Sequence, residues 1–219
     1  VRQYGTAASA TIDPNIVVPT SGTSFNLLGH LQYIPSERNQ GSAGNCWVWA
    51  GTGVLEVALD VQGRLKDRLS IQYFDSNYNG GTGCKWAGCG GSSTNFAIFY
   101  NTQKIAIPWS NTNAHYQDGS RSCNPPSDCG GTLVSASSIS TTPNYQITSC
   151  VVNSIPNVHG AGQGTAIANI KNILLQNKAV WFSYCLADSS DWDNFGIFWK
   201  YQGESARWSP DFSNHHVYN

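Results

Sequence analysis

The sequence predicts an α+β protein with two unlike lobes, a helical one followed by a strand-rich one. Three observations lead there. Trp47, Ala50, Val54, Ala58 and Val61 recur at steps of three or four, as one face of a helix does. The stretches 145–152, 179–186 and 195–201 are rich in β-branched and aromatic residues that suit strands. Helix and loop dominate the first half, whereas the second half mixes strands with one helix. The 219 residues are enough for one large domain, or two small lobes, with a real core.

Taken in order, residues 1–24 read as an extended arm, with Pro14 and Pro19 and no helical period. Residues 25–40 hold short apolar pieces and a turn at Pro35-Ser36. Gly41-Ser42-Ala43-Gly44-Asn45 cannot continue a helix. A helix starts at Cys46; Gly51 and Gly53 each weaken it by about 1 kcal/mol unless they let a neighbour pack closely. A second helical piece begins over 69–73. Residues 77–93 form a Gly-rich loop, and 94–102 turn helical again, with Phe96, Phe99 and Tyr100 as core candidates. Residues 121–133 are loop, with Pro125-Pro126 between Cys123 and Cys129. The most regular amphipathic helix is 164–177, carrying Ile167, Ile170, Ile173, Leu174 and Leu175. There is no internal repeat and no low-complexity segment.

Composition narrows the function classes. Charged residues are 11% of the chain, less than half the usual share, so polar surface must come from Ser, Thr, Asn, Gln and 22 Gly. That favours an extracellular protein. A net charge of -1 argues against a nucleic-acid partner. No apolar run reaches the roughly 20 residues of a membrane span. Val1 is not followed by a basic segment and an apolar stretch, so the expectation from these residues is that they hold no signal peptide. With no Met at all, the chain reads as trimmed from a longer precursor. The seven cysteines are an odd number. In an oxidising compartment six can pair and one stays free for chemistry.

The strongest constellation is Gln40-Gly41-Ser42-Ala43-Gly44-Asn45-Cys46-Trp47, a loop feeding a helix whose first turn holds a cysteine. A helix start offers unpaired N–H groups and the positive end of the dipole, and both favour a thiolate. Gln40 can fold back across the loop so that its amide, with the Cys46 N–H, holds an oxyanion; such a donor is worth on the order of 3 kcal/mol.

This segment resembles the nucleophile segment of the papain family of cysteine peptidases. The likeness continues in order. Leu69-Ser70-Ile71-Gln72-Tyr73 resembles the family's Leu-Ser-x-Gln-x segment, and Cys89-Gly90-Gly91 its substrate-binding Gly-Gly loop, one residue short. Residues 170–180 resemble the helix before the family's Pro-Val strand, with Ala179 in place of Pro. Asn214-His215-His216-Val217 resembles the family's His-Ala-Val. Phe25-Asn26-Leu27 sits where mature enzymes of the family begin. The resemblance covers about 17–219. It implies an N-terminal arm over 1–16 and a peptidase domain over 17–219. Within that domain it implies a helical lobe over about 25–130 and a strand-rich, barrel-like lobe over about 131–219, with the active-site cleft between them.

The resemblance further implies a secreted endopeptidase acting on polypeptides. Cys46 is its nucleophile, His215 its base, with His216 as the adjacent alternative, Gln40 its oxyanion donor and Gly90 and Gly91 its substrate-binding backbone. It implies no cofactor and no metal. A His-His pair without a further ligand at i+3 or i+4 is a poor metal site, and for Cys84, Cys89, Cys123 and Cys129 disulfides are the better reading in a chain that looks secreted.

Two departures stand out. Ala43 and Ser76 occupy positions where the family has disulfide cysteines, so the six others must pair differently. Cys123 with Cys129, Cys84 with Cys89 and Cys150 with Cys185 is one of 15 arrangements. The family also orients its His with an Asn about two strands later, whereas Asn219 is only four residues past His215. The expectation is that a further segment or second chain supplies those strands and that Asn. Two rival readings stay open: a catalytically silent binding or structural module, including a fragment of a larger surface protein, and an acyl transferase with the same thioester chemistry.

Overall fold

The structure is a computed structural model that describes residues 7–19, 25–32, 38–126, 129–156, 158–183 and 189–201. It mixes helix and sheet, with helix predominating. In chain order the regular elements are β1 (Ala8–Ser9), α1 (Cys46–Gly63), α2 (Ile71–Asn77), α3 (Ser93–Gln103) and β2 (Ile105–Ala106), then β3 (Tyr145–Gln146), β4 (Asn153–Ser154), α4 (Val158–Ala161), α5 (Gln163–Leu175) and α6 (Ser189–Tyr201). The sheets are small. β1 pairs in parallel with β4, and β2 pairs antiparallel with β3 in the register Ile105 to Gln146. The chain divides into two compact units, the larger running from Arg2 to Trp181 and the other over 182–219.

The larger unit is built on an aromatic core at the crossing of α1, α2 and α3. Phe74 of α2 is fully buried and meets Trp47 edge-on at 5.1 Å, Phe96 face-on at 5.4 Å and Phe99 at 4.1 Å. α3 starts with a capping box, in which the Ser92 hydroxyl accepts from the Asn95 N–H and the Asn95 side chain accepts from the Ser92 N–H. Its core residues are the expected Phe96, Phe99 and Tyr100.

The face that α1 buries departs from the apolar spacing. It holds Trp47, Val48, Gly51, Thr52, Glu56 and Val57, while Ala50 is exposed. Two contacts turn the helix this way. A Cβ on Gly51 would lie 2.6 Å from the Phe96 ring, so only glycine lets the two helices approach. Glu56, 1% exposed, accepts from Arg38 Nη2 at 2.9 Å and from the Leu69 N–H at 2.9 Å. A buried carboxylate so satisfied belongs inside despite its charge. Gly53 faces open space.

α5 also buries an unexpected face. Ile173 is inside, but Ile167 and Ile170 are exposed, and the buried polar residue is Asn172. Its amide donates to Asp13 O at 2.9 Å and accepts from the Asp13 N–H at 3.0 Å. With β1 against β4 and Gln176 Nε2 on Thr11 O, this bond pins the extended arm along the unit.

Three strand expectations are corrected. Of 145–152, only Tyr145–Gln146 is strand. Residues 179–183 carry no regular structure, and 184–186 lie outside the described residues. Residues 195–201 belong to α6. There Trp192, Phe195 and Phe198 repeat every three residues, a helical spacing that aromatic composition disguises as strand. Phe195 and Phe198 stack at 6.4 Å, and Asp191 lies in the first turn, where a helix favours negative charge.

Candidate active site

Cys46 is a free, exposed thiol and the first residue of α1. Asn45 caps that helix through its backbone, its carbonyl accepting from the Val48 and Trp49 N–H groups, while its side chain makes no capping bond. The N–H groups of Cys46 and Trp47 precede this ladder, as the first donors of any helix do. The thiol therefore sits at the electropositive end of an 18-residue helix.

The loop before it is held from several sides. The Tyr116 hydroxyl donates to Gln40 O at 2.7 Å, the Ser42 N–H to Gly119 O at 2.7 Å and the Gly44 N–H to Gly88 O at 2.9 Å. Gln40 does fold back across the loop as expected: its Nε2 donates to Ala43 O at 2.9 Å. A side-chain amide has two hydrogens, and one such bond leaves the other for a ligand.

Gly90 and Gly91 are exposed and adjoin this loop. The Trp47 indole N–H donates to Ala87 O at 2.9 Å, and a Cβ on Gly91 would lie 2.5 Å from the same indole. Glycine is required there for the backbone to lie on the ring. The cysteine pairing is corrected: Cys84 bonds Cys129, and Cys89 bonds Cys123. Two of the expected pairs, Cys84 with Cys89 and Cys123 with Cys129, were neighbours in sequence. The observed ones join two loops side by side, and so staple the Gly90 loop to 123–129. The Gly44 N–H bond to Gly88 O ties the loop before α1 to the segment that carries Gly90. Cys150 is the second free thiol among the described residues, half-buried, its ionisation opposed by burial.

Behind the loop lies a buried polar cluster that sequence reasoning missed. Asn45, Gln72, Asp75 and Asp118 are all inaccessible. Asn45 Nδ2 donates to Asp75 Oδ2 at 2.7 Å. Asp118 accepts from Gln72 Nε2 at 2.7 Å, Thr132 Oγ1 at 2.8 Å and the Leu133 N–H at 2.6 Å. Gln72 Oε1 accepts from the Gln117 N–H at 2.7 Å. Burial, then the Asp118 charge, hold the Asp75 carboxyl well above the usual carboxylate range. The one signal in the sequence was an acid inside an otherwise buried helix, Ile71 to Ser76.

His215 and His216 lie outside the described residues, as does Cys185. A different histidine does meet a carboxylate: His30 Nδ1 lies 2.7 Å from Asp60 Oδ2. Asp60 is 14 residues along α1 from Cys46, about 21 Å at 1.5 Å per residue, so this pair is out of reach of the thiol. Among the described residues no cluster of His, Cys, Asp or Glu is arranged to hold a metal ion, and no helix is long and apolar enough to cross a membrane. Comparison with known proteins returned no matching family model, no matching curated protein and no matching solved structure.

Proposed function

We propose that the chain is a secreted cysteine peptidase of papain-like design, hydrolysing peptide bonds through a Cys46 thioester. The observation that carries this reading is an exposed thiol on the first residue of α1, with the Gln40 amide and the Gly90-Gly91 backbone on the two segments beside it. Two disulfides are consistent with an oxidising compartment. The proposal assigns the base of the reaction to His215.

In this mechanism His215 takes the Cys46 proton, and the sulfur attacks the substrate carbonyl carbon. The carbonyl oxygen becomes an oxyanion held by the Cys46 N–H and the second hydrogen of Gln40 Nε2. The tetrahedral centre collapses, the C–N bond breaks, and His215 returns the proton to the leaving amine. Water, deprotonated by His215, then hydrolyses the thioester and restores the thiol. The exposed Gly90-Gly91 backbone pairs with an extended substrate as an added strand would.

A peptidyl epoxide with mass mapping tests the reading. The label is expected on Cys46, with loss of both label and hydrolysis in Cys46→Ala. Labelling of Cys150 instead, or normal turnover by Cys46→Ala, sinks the proposal.

A further inference from the structure

We propose that Asp75 and Asp118 share a single proton, carried on Asp75 Oδ1, and that this pair positions Asn45 and through it the Cys46 thiol. Asp75 is thus a positioning residue. The effect on the thiol rests on the peptidase reading of Cys46, whereas the shared proton stands on its own.

The two carboxyls are satisfied unequally. Asp118 receives three donors, from Gln72, Thr132 and the Leu133 backbone. That is the environment of an ionised carboxylate. Asp75 receives one, from Asn45, on Oδ2; its Oδ1 is buried with no donor. A buried carboxylate oxygen left bare is costly, so an ionised Asp75 is the wrong species for this site. The Asp118 carboxyl is its hydrogen-bonding neighbour. Two carboxylates in contact, away from water, do not both ionise. A proton on Asp75 Oδ1, donated to Asp118, satisfies the bare oxygen and leaves one charge in place of two.

The surroundings agree on every side. Asp118 acts from the 3-10 turn Asp118–Ser120 and Asn45 from the nucleophile loop. The phenols of Tyr116, just before that turn, and Tyr100, on α3, are both pushed up, chiefly by their own burial. Glu56 acts on Tyr100 one step further out. Among the described residues no cation bears on Asp75.

The consequence for Cys46 runs through one residue. Asn45 holds Asp75 with its amide, lies 3.5 Å from the Tyr116 hydroxyl through Oδ1, and starts α1 with its carbonyl. Loss of the shared proton puts two like charges against each other behind Asn45 and moves the residue that sets where α1, and its first side chain, begins.

The test uses the asymmetry of the pair. Asp75→Asn reproduces the protonated acid, its amide donating to Asp118 and its carbonyl accepting from Asn45. Asp118→Asn puts an amide donor against groups that are themselves donors. The full chain and both variants are alkylated with iodoacetamide, the Cys46 peptide is quantified over a pH series, and each protein is melted at the same pH values. Asp75→Asn is expected to keep the Cys46 alkylation rate, and its ratio to the wild-type rate to rise with pH. Asp118→Asn loses roughly 10²-fold, as displacement of a reacting group by about 1 Å does, or fails to fold. The wild-type melting temperature falls with pH relative to Asp75→Asn. Equal damage from the two substitutions, or parallel melting curves for wild type and Asp75→Asn, overturns the shared proton. A shared proton with Cys46 alkylation unchanged in Asp118→Asn overturns the positioning role. None of these readouts requires hydrolysis, so a chain that cleaves no peptide but shows the asymmetry disproves the peptidase reading and not the pair.

Discussion

In the proposed reading Gln40 carries two duties that a single substitution separates by size. Its amide closes the loop before α1 onto Ala43, a partly exposed hydrogen bond worth about 1 kcal/mol of stability. In the proposed mechanism the same amide also meets the oxyanion, which is worth roughly 10²–10³ in rate. Gln40→Ala is therefore expected to lower the melting temperature slightly while cutting kcat/KM by roughly 10²–10³. A small rate loss matching the small stability loss would show that Gln40 only shapes the loop. At this scale the sequence was most legible where the chemistry is local. The helix start at Cys46 and the fold-back of Gln40 onto Ala43, three residues away, are of that kind. Asn45, Asp75 and Asp118 were not legible, because their role comes from contacts 30 and more residues apart, such as Asn45 to Asp75 and Gln72 to Asp118. The partner histidine is the remaining test of the constellation, since His215 falls outside the described residues.

Elements were legible where hydropathy and burial coincide. α3 is the example, with its Ser92 cap and aromatic face. α1 shows where they part. Its buried stripe includes Gly51, Thr52 and Glu56, which no apolar period selects; close approach and ion pairing place them there. The misread aromatic run of α6 and the mispaired cysteines share one cause. Composition and nearness along the chain stood in for geometry that only the folded chain supplies. The two glycines of α1 make a paired prediction. Alanine gains about 1 kcal/mol over glycine in a helix interior. At Gly53 nothing opposes that gain, so Gly53→Ala is expected to stabilise by up to about 1 kcal/mol. At Gly51 the new methyl meets Phe96, which Phe74 at 5.4 Å and Tyr100 at 4.9 Å hold in place. Overpacking of this kind costs roughly 1–3 kcal/mol, more than the helix gain, so Gly51→Ala destabilises. Denaturant midpoints of the two variants measure both; equal shifts would mean that Phe96 yields freely. In the same core, Phe74→Ala removes the ring that Trp47, Phe96 and Phe99 share, and is expected to cost about 3–5 kcal/mol in the same assay.

For the whole molecule, the mixed helix-and-sheet class was legible, and the balance between the two was not. The described strands are two residues each, so what organises the larger unit is packing between helices and the loops stapled beside them. That organisation buries acids, and burial gives stability a definite dependence on pH. Glu56 is raised above its ordinary value of 4.5 by burial, against the pull of Arg38. Asp75 is raised well above 3.8 by burial and by Asp118. Above those ordinary values the unfolded chain has released both protons while the folded chain still holds them. The folded state then binds more protons than the unfolded state, and stability falls as pH rises. The contribution of these two groups is complete below about pH 4. It is lost progressively as pH climbs from there through the folded-state values. This is the reverse of the dependence given by carboxylates that fold into salt bridges with lowered values. Asp75→Asn and Glu56→Gln are each expected to flatten the fall of melting temperature with pH, measured with the disulfides intact. Glu56→Gln also lowers stability at every pH, since it leaves Arg38 facing a neutral amide. The slope and the offset are read separately from the same curves. If both variants keep the wild-type slope, the folded chain holds neither proton, and Asp75 and Glu56 are ionised inside the core.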